Sequence, residues 1–128
     1  MAEQAWFGVG NLARDPELKF TAGGRAVAKA SIAVERRYQR DGKWEGETSW
    51  FNLVVWGELG EHFAESCFKG DRVFAAGRIE IRNYETAEGE KRTALEVVVD
   101  SIGPDLKYAT AIVNKVERSK PENESSYE

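Results

Sequence analysis

The sequence is short of several things, and each shortage removes a class of protein. Cys67 is the single cysteine in 128 residues, so no internal disulfide framework exists and a reducing compartment is expected. His62 is the single histidine, which leaves no serine or cysteine nucleophile with a plausible base and no second pair to complete a metal site with Cys67. No catalytic residue, metal or cofactor is expected. No apolar stretch approaches a bilayer span, and Met1-Ala-Glu-Gln-Ala5 lacks the basic and apolar regions of a secretory signal, so a cytoplasmic location is expected. Positive charge is also short. Eighteen Lys and Arg stand against 22 Asp and Glu, a formal charge of -4, which argues at whole-chain scale against a phosphate-rich partner.

What remains is a globular composition, 41% apolar and 31% charged, of one-domain length. Most of it reads as strands. Residues 5–13 form an apolar run interrupted by Gly8 and Gly10, expected as a bent strand. Turns at Asp15-Pro16 and Gly23-Gly24 bracket the short segment Leu18-Lys19-Phe20. Residues 25–38 are rich in Ala, Val, Ile and Ser, while residues 48–56 alternate around aromatic and β-branched side chains. Residues 72–84 and 92–102 follow, separated by Glu88-Gly89-Glu90, and residues 106–116 make a sixth candidate strand. Between Gly57 and Gly70, Leu59, Phe63 and Cys67 recur at helical spacing, with Gly70 expected as the C-cap. The expected order is three strands, a helix, two strands and an extra C-terminal strand, an all-β class. From residue 117 the chain becomes charged and Ser-rich, expected as a disordered tail, leaving residues 1–116 as the folded domain.

Gly8-x-Gly10-x-x-Ala13 fits a loose dinucleotide fingerprint, but Arg14-Asp15-Pro16 stands where its helix should open, so the glycines are read as a backbone bend. The aromatics carry more. In residues 48–56, period-two alternation places Phe51, Leu53 and Val55 on a core face and Trp50, Asn52, Val54 and Trp56 on the other. Two indoles about 20 Å apart on a face marked by Asn52 suit a stacking platform better than a core. Cations accompany aromatics in Arg36-Arg37-Tyr38-Gln39-Arg40-Asp41-Gly42-Lys43-Trp44, and Arg72, Arg78, Arg82 and Tyr84 share parity further on. Rings that stack on unpaired bases, interleaved with cations that meet phosphates, are the physical recipe for single-stranded nucleic acid. Each stack contributes roughly 1–3 kcal/mol, and charges beyond about 8 Å are screened, so a local patch outweighs the net charge. A protein-interaction module using the same aromatic face is the competing reading.

These residues resemble a known family. Gly10-Asn11-Leu12 with Asp15-Pro16-Glu17, Ala26-Val27-Ala28, Thr48-Ser49-Trp50 with Trp56-Gly57, Lys69-Gly70-Asp71-Arg72-Val73, Gly77-Arg78-Ile79, Tyr84 with Gly89, and Glu96-Val97-Val98-Val99 occur in the order found in bacterial single-stranded DNA-binding proteins. The resemblance covers roughly residues 5–103. It implies an OB-fold, a five-stranded Greek-key barrel with a helix between strands three and four. It implies a homotetramer that binds single-stranded DNA without sequence preference in replication, recombination and repair. Stacking roles are implied for Tyr38, Trp50, Trp56 and Tyr84, with Trp44 a further candidate. Phosphate contacts are expected from Arg36, Arg37, Arg40, Lys43, Lys69, Arg72, Arg78 and Arg82. Asn52 and Glu58 depart from the family by standing at commonly basic positions. Leu106-Lys107-Tyr108-Ala109-Thr110-Ala111 resembles the actinobacterial branch, in which an added C-terminal strand clamps a subunit pair. The ending Ser125-Ser126-Tyr127-Glu128 lacks the acidic, Phe-ended tip that recruits replication and repair proteins, as expected of a short or truncated version.

Overall fold

A computed structural model describes residues 5–117. The expected tail lies outside the described residues except for Glu117. Six strands and one helix follow in the order β1 (Ala5–Leu12), β2 (Glu17–Phe20), β3 (Ala26–Arg40), β4 (Lys43–Trp56), α1 (Gly57–Ser66), β5 (Arg72–Glu85) and β6 (Lys91–Pro104). The sheet runs β1-β5-β6-β4-β3-β2, and a second pairing of β1 with β3, Asn11 opposite Ala33 and Leu12 opposite Ile32, closes five of these strands into a barrel. This is the architecture of the OB-fold, with the helix between the third and fourth barrel strands.

Closure brings backbones close together, and glycine makes room for it. A Cβ on Gly10 would lie 2.5 Å from the Ala33 carbonyl oxygen, at the seam where β1 meets β3. On Gly77 it would lie 2.0 Å from the Val98 carbonyl oxygen, where a register shift between β5 and β6 inserts Asp100 as the extra residue of a bulge. The glycines of the apparent nucleotide fingerprint, expected as a backbone bend, allow close approach instead: Gly10 to the β3 backbone and Gly8 to the Trp6 ring, 2.7 Å from where its Cβ would stand.

Inside the barrel, Leu12, Ala28, Ile32, Leu53, Val55, Val73, Ala75, Val97 and Val99 form the core. α1 closes one end by inserting Phe63, and Cys67 is buried beside it. Burial pushes the Cys67 thiol above its usual pKa, and the nearby Asp71 carboxylate pushes it the same way. Trp6 packs its ring 5.0 Å from Phe51 against this core, so it is a structural residue.

Four expectations need correction. The helix stops at Ser66, not at Gly70: Cys67 is extended, with φ -127°. Its N–H still reaches the Phe63 carbonyl, and Asp71 Oδ2 accepts from Phe68 N–H to form the return turn in which Gly70 has φ +88°. Residues 106–116 are not a strand. Among the described residues they pair with no strand, and from Asp105 on the chain is turn and irregular backbone. The extra strand is β2 instead, laid along β3 from Glu17 opposite Lys29 to Phe20 opposite Ala26. Lastly, β3 and β4 run further than expected, to Arg40 opposite Lys43, because Asp41 and Gly42 adopt φ +52° and +77°. Two left-handed residues make the primed turn whose twist suits a two-residue hairpin, and Asp-Gly favours it.

Candidate nucleic-acid interface

Cross-strand register decides which side chains share a surface, because partners directly opposite point the same way. On the β3–β4 ribbon, Ala28, Ala30, Ile32 and Val34 face the core opposite Val55, Leu53, Phe51 and Ser49. The alternate set therefore faces outward. It holds Trp44, Trp50 and Trp56, opposite Gln39, Ala33 and Val27. Six residues separate each tryptophan from the next, about 20 Å at strand rise, so three indoles form one column about 40 Å long. Trp44 and Trp50 are 66% and 63% exposed, an arrangement that folding alone does not reward.

The column continues across the sheet. Asn52 pairs with Glu96 and Val54 with Val98 in the parallel contact of β4 with β6, and Glu96 lies opposite Glu80 on β5. Arg82 and Tyr84 follow Glu80 on the same face. Trp50, Trp56, Arg82 and Tyr84 thus come to a single outward surface. Val54 belongs to this face by parity yet is buried, flanked by Lys29 and Val98 on its two neighbouring strands. Asn52 Oδ1 accepts a 2.9 Å hydrogen bond from Ser31 Oγ, which fixes its orientation on the surface.

Tyr38 stands elsewhere. It lies on the opposite face of the hairpin, with Arg36, Arg40 and Lys43, beyond the end of the core. Arg36 and Arg40 hold their guanidinium groups 5.3 and 5.5 Å from its ring, one to either side along β3. Arg37 points to the tryptophan side. The basic run read from the sequence is therefore divided between two faces of one ribbon.

The remaining cations differ in availability. Arg72 Nε donates to Asp105 Oδ2 at 2.6 Å, Asp105 N–H donates to the Arg72 carbonyl, and the guanidinium lies 5.6 Å from the Tyr108 ring. It anchors the segment after β6. Replacing it (Arg72→Met) removes a charge-assisted hydrogen bond, roughly 1 kcal/mol here, so tryptic cleavage after Lys107 is expected to run about fivefold faster than in the parent. Unchanged cleavage would show that the anchor lies elsewhere. Arg78 pairs with Glu80 at 3.2 Å and Asp100 at 4.0 Å, Arg82 with Glu96 at 3.4 Å, and Arg36 with Glu47 at 3.8 Å. Exposed pairs of this kind contribute roughly 0.2–1 kcal/mol, weak enough for a phosphate to displace. Lys69 sits in the loop after α1, its N–H donating to Asp15 Oδ1, and Glu58 is exposed in the first turn of the helix.

Arg25 escaped the sequence reading. Its guanidinium covers the half-buried Trp56 ring at 4.3 Å, a cation–π contact that sets a positive charge beside this indole. Only the register of Val27 with Trp56 brings the two together, so no local pattern announces it. Among the described residues, no three His, Cys, Asp or Glu side chains converge to hold a metal ion. No helix among them is long and apolar enough to cross a membrane.

A closed OB barrel with an outward column of aromatics beside cations defines the class of small oligonucleotide-binding barrels. The particular family follows from sequence comparison. The chain belongs to the single-strand binding protein family, whose model matches residues 5–105. It is 52% identical over 114 residues to the single-stranded DNA-binding protein of Mycobacterium tuberculosis, covering 87% of this chain and 70% of the relative. It is 48% identical over 118 residues to that of Paenarthrobacter nicotinovorans, covering 90% and 69%. Single-stranded DNA-binding protein 1 of Tropheryma whipplei is 48% identical over 106 residues, covering 80% and 57%. The resemblance read from the short motifs, including its actinobacterial character, is thus shown.

Proposed function

We propose that this protein binds single-stranded DNA without sequence preference and protects it during replication, recombination and repair. The outward column of Trp44, Trp50 and Trp56 carries the reading, since two exposed indoles and a third half-buried under Arg25 suit a partner with flat faces. Unpaired bases stack on this column and on Tyr84, with a further stack on Tyr38 at the other face of the hairpin. Phosphates meet Arg37, Arg40, Lys43 and Lys69 directly, and Arg36, Arg78 and Arg82 after exchange from their carboxylates. Arg72, tied to Asp105, is withdrawn from that set. The role is binding, not catalysis, and the expected location is the cytoplasm, at the nucleoid. Homotetramer assembly is part of the proposal, supported by the family and by the exposed apolar side chains Leu106, Tyr108, Ile112 and Val113 of the unpaired segment.

Titration with dT oligomers is expected to quench tryptophan fluorescence. With four cations engaged that have no carboxylate partner among the described residues, the single-strand slope of roughly -0.7 per phosphate predicts about fiftyfold weaker binding for fourfold more salt. Absence of both quenching and a gel shift at low salt overturns the reading. Protein partners that survive nuclease treatment, with no DNA affinity, would establish the interaction-module alternative instead.

A further inference from the structure

Between the tryptophans, the outward face is crossed by a row that does not suit a phosphate. Ser31, Asn52, Glu96 and Glu80 lie side by side on β3, β4, β6 and β5. Two carboxylates stand directly opposite each other at the end of that row, a pairing that is unfavourable unless something nearby compensates it. The compensation is visible. Arg82 Nη2 lies 3.4 Å from Glu96 Oε2, and Arg78 Nη2 lies 3.2 Å from Glu80 Oε2 while Nη1 reaches Asp100 at 4.0 Å. The Glu96 side chain is only 18% exposed, so it is held in place, whereas Arg82 at 55% and Arg78 at 42% remain open to solvent. Arg82 therefore has one carboxylate partner and Arg78 two, and both guanidinium groups stay partly open to solvent on the face that carries Trp50 and Tyr84.

We propose that Glu80 and Glu96 are intramolecular competitors of the DNA backbone: they hold Arg78 and Arg82 in ion pairs that a bound strand must exchange, and so limit the affinity of this face. The inference rests on the DNA-binding reading and adds its regulation by charge. A strand arriving at the face gains two arginine–phosphate contacts but gives up the pairs of Arg78 with Glu80 and of Arg82 with Glu96, and leaves those two carboxylates near its phosphates. Net affinity then comes mainly from stacking, in keeping with the acidic total charge. Since the competition is electrostatic, it fades as salt screens both partners.

The test uses Glu80→Gln and Glu96→Gln, with Glu61→Gln on the helix as a control carrying the same change in net charge, and dT oligomers as probe. Removing one negative charge several ångström from a phosphate is expected to tighten binding about threefold at low salt by Coulomb's law in water. Releasing Arg82 in Glu96→Gln is expected to steepen the salt slope by about 0.7, and Glu80→Gln, which leaves Arg78 beside Asp100, steepens it by less. The gain disappears toward high salt, and Glu61→Gln stays close to the parent. Thermal melting of each variant verifies the fold. Equal affinity of Glu80→Gln and Glu61→Gln, tighter binding with an unchanged slope, or a gain that persists at high salt each overturns the proposal while leaving the binding function intact. A parent protein that fails to bind dT removes the function itself, a result the variants cannot mimic.

Discussion

Replacing Trp50 and Trp56 together by alanine is expected to weaken binding to dT oligomers by roughly 2–6 kcal/mol, at least about thirtyfold in affinity. Each base stack supplies roughly 1–3 kcal/mol, and the two indoles, about 20 Å apart on β4, are far enough apart for their effects to add. The fold should tolerate the change. Trp50 is 63% exposed, and the half-buried Trp56 gives up its cation–π contact with Arg25, about 0.5–1 kcal/mol, together with part of its buried ring area. Anisotropy of a labelled oligomer is the suitable readout, because the double variant has lost two of the four tryptophans and its quenching no longer compares directly with the parent's. If affinity is unchanged while circular dichroism and melting temperature match the parent, the two rings belong to a subunit or protein contact and the stacking path is wrong.

The largest effect on stability is expected at Phe63. It is 3% exposed and closes the barrel end as the principal side chain that α1 contributes to the core. Phe63→Ala loses the transfer free energy of an aromatic ring and leaves a cavity that Leu53, Val55 and Val97 cannot fill without moving the strands. A loss of about 3–5 kcal/mol is expected, a large share of a small domain's roughly 5–15 kcal/mol. Phe63→Leu, which keeps most of the volume, is expected to lose much less. Urea unfolding with a common slope separates these cases. A loss under about 1 kcal/mol for the alanine variant would mean that the helix does not plug the barrel. Gly60 supports the same geometry, since a Cβ there would meet the Val55 carbonyl oxygen at 2.3 Å, leaving no room for the helix to lie closer or for a larger residue to stand between.

Some of this was legible in residue order. Alternation in residues 48–56 separated Leu53 and Val55 from Trp50 and Trp56, because a strand enforces period two wherever it lies. Helical spacing of Leu59, Phe63 and Cys67 located the helix for the same kind of reason, and the short motifs in order led to the family. Helix termination was not legible. Whether Gly70 or Cys67 ends α1 depends on Asp71 accepting from Phe68 and on Asp15 reaching Lys69, a residue 54 positions away. Nor was the fate of residues 106–116, whose apolar side chains satisfy strand patterning although they pair with no strand among the described residues, because patterning shows which residues suit a strand and not whether a partner edge lies beside them.

By itself, then, the sequence determined the all-β class, the place of the helix, the core face of β4 and the chemistry of the candidate interface, since each of these rests on local periodicity and residue type. Tertiary structure alone decided the grouping. Register placed Trp44 with Trp50 and Trp56 and sent Tyr38 to the other face, although all four aromatics lie within one hairpin and its strands. It also decided which cations are available. Parity put Arg72, Arg78 and Arg82 in one class, but their carboxylate partners come from Asp105, Asp100 and Glu96 across a strand pairing and a bulge. Charge in a sequence is a count, whereas attraction falls with distance, and distances between strands are set only when the barrel closes.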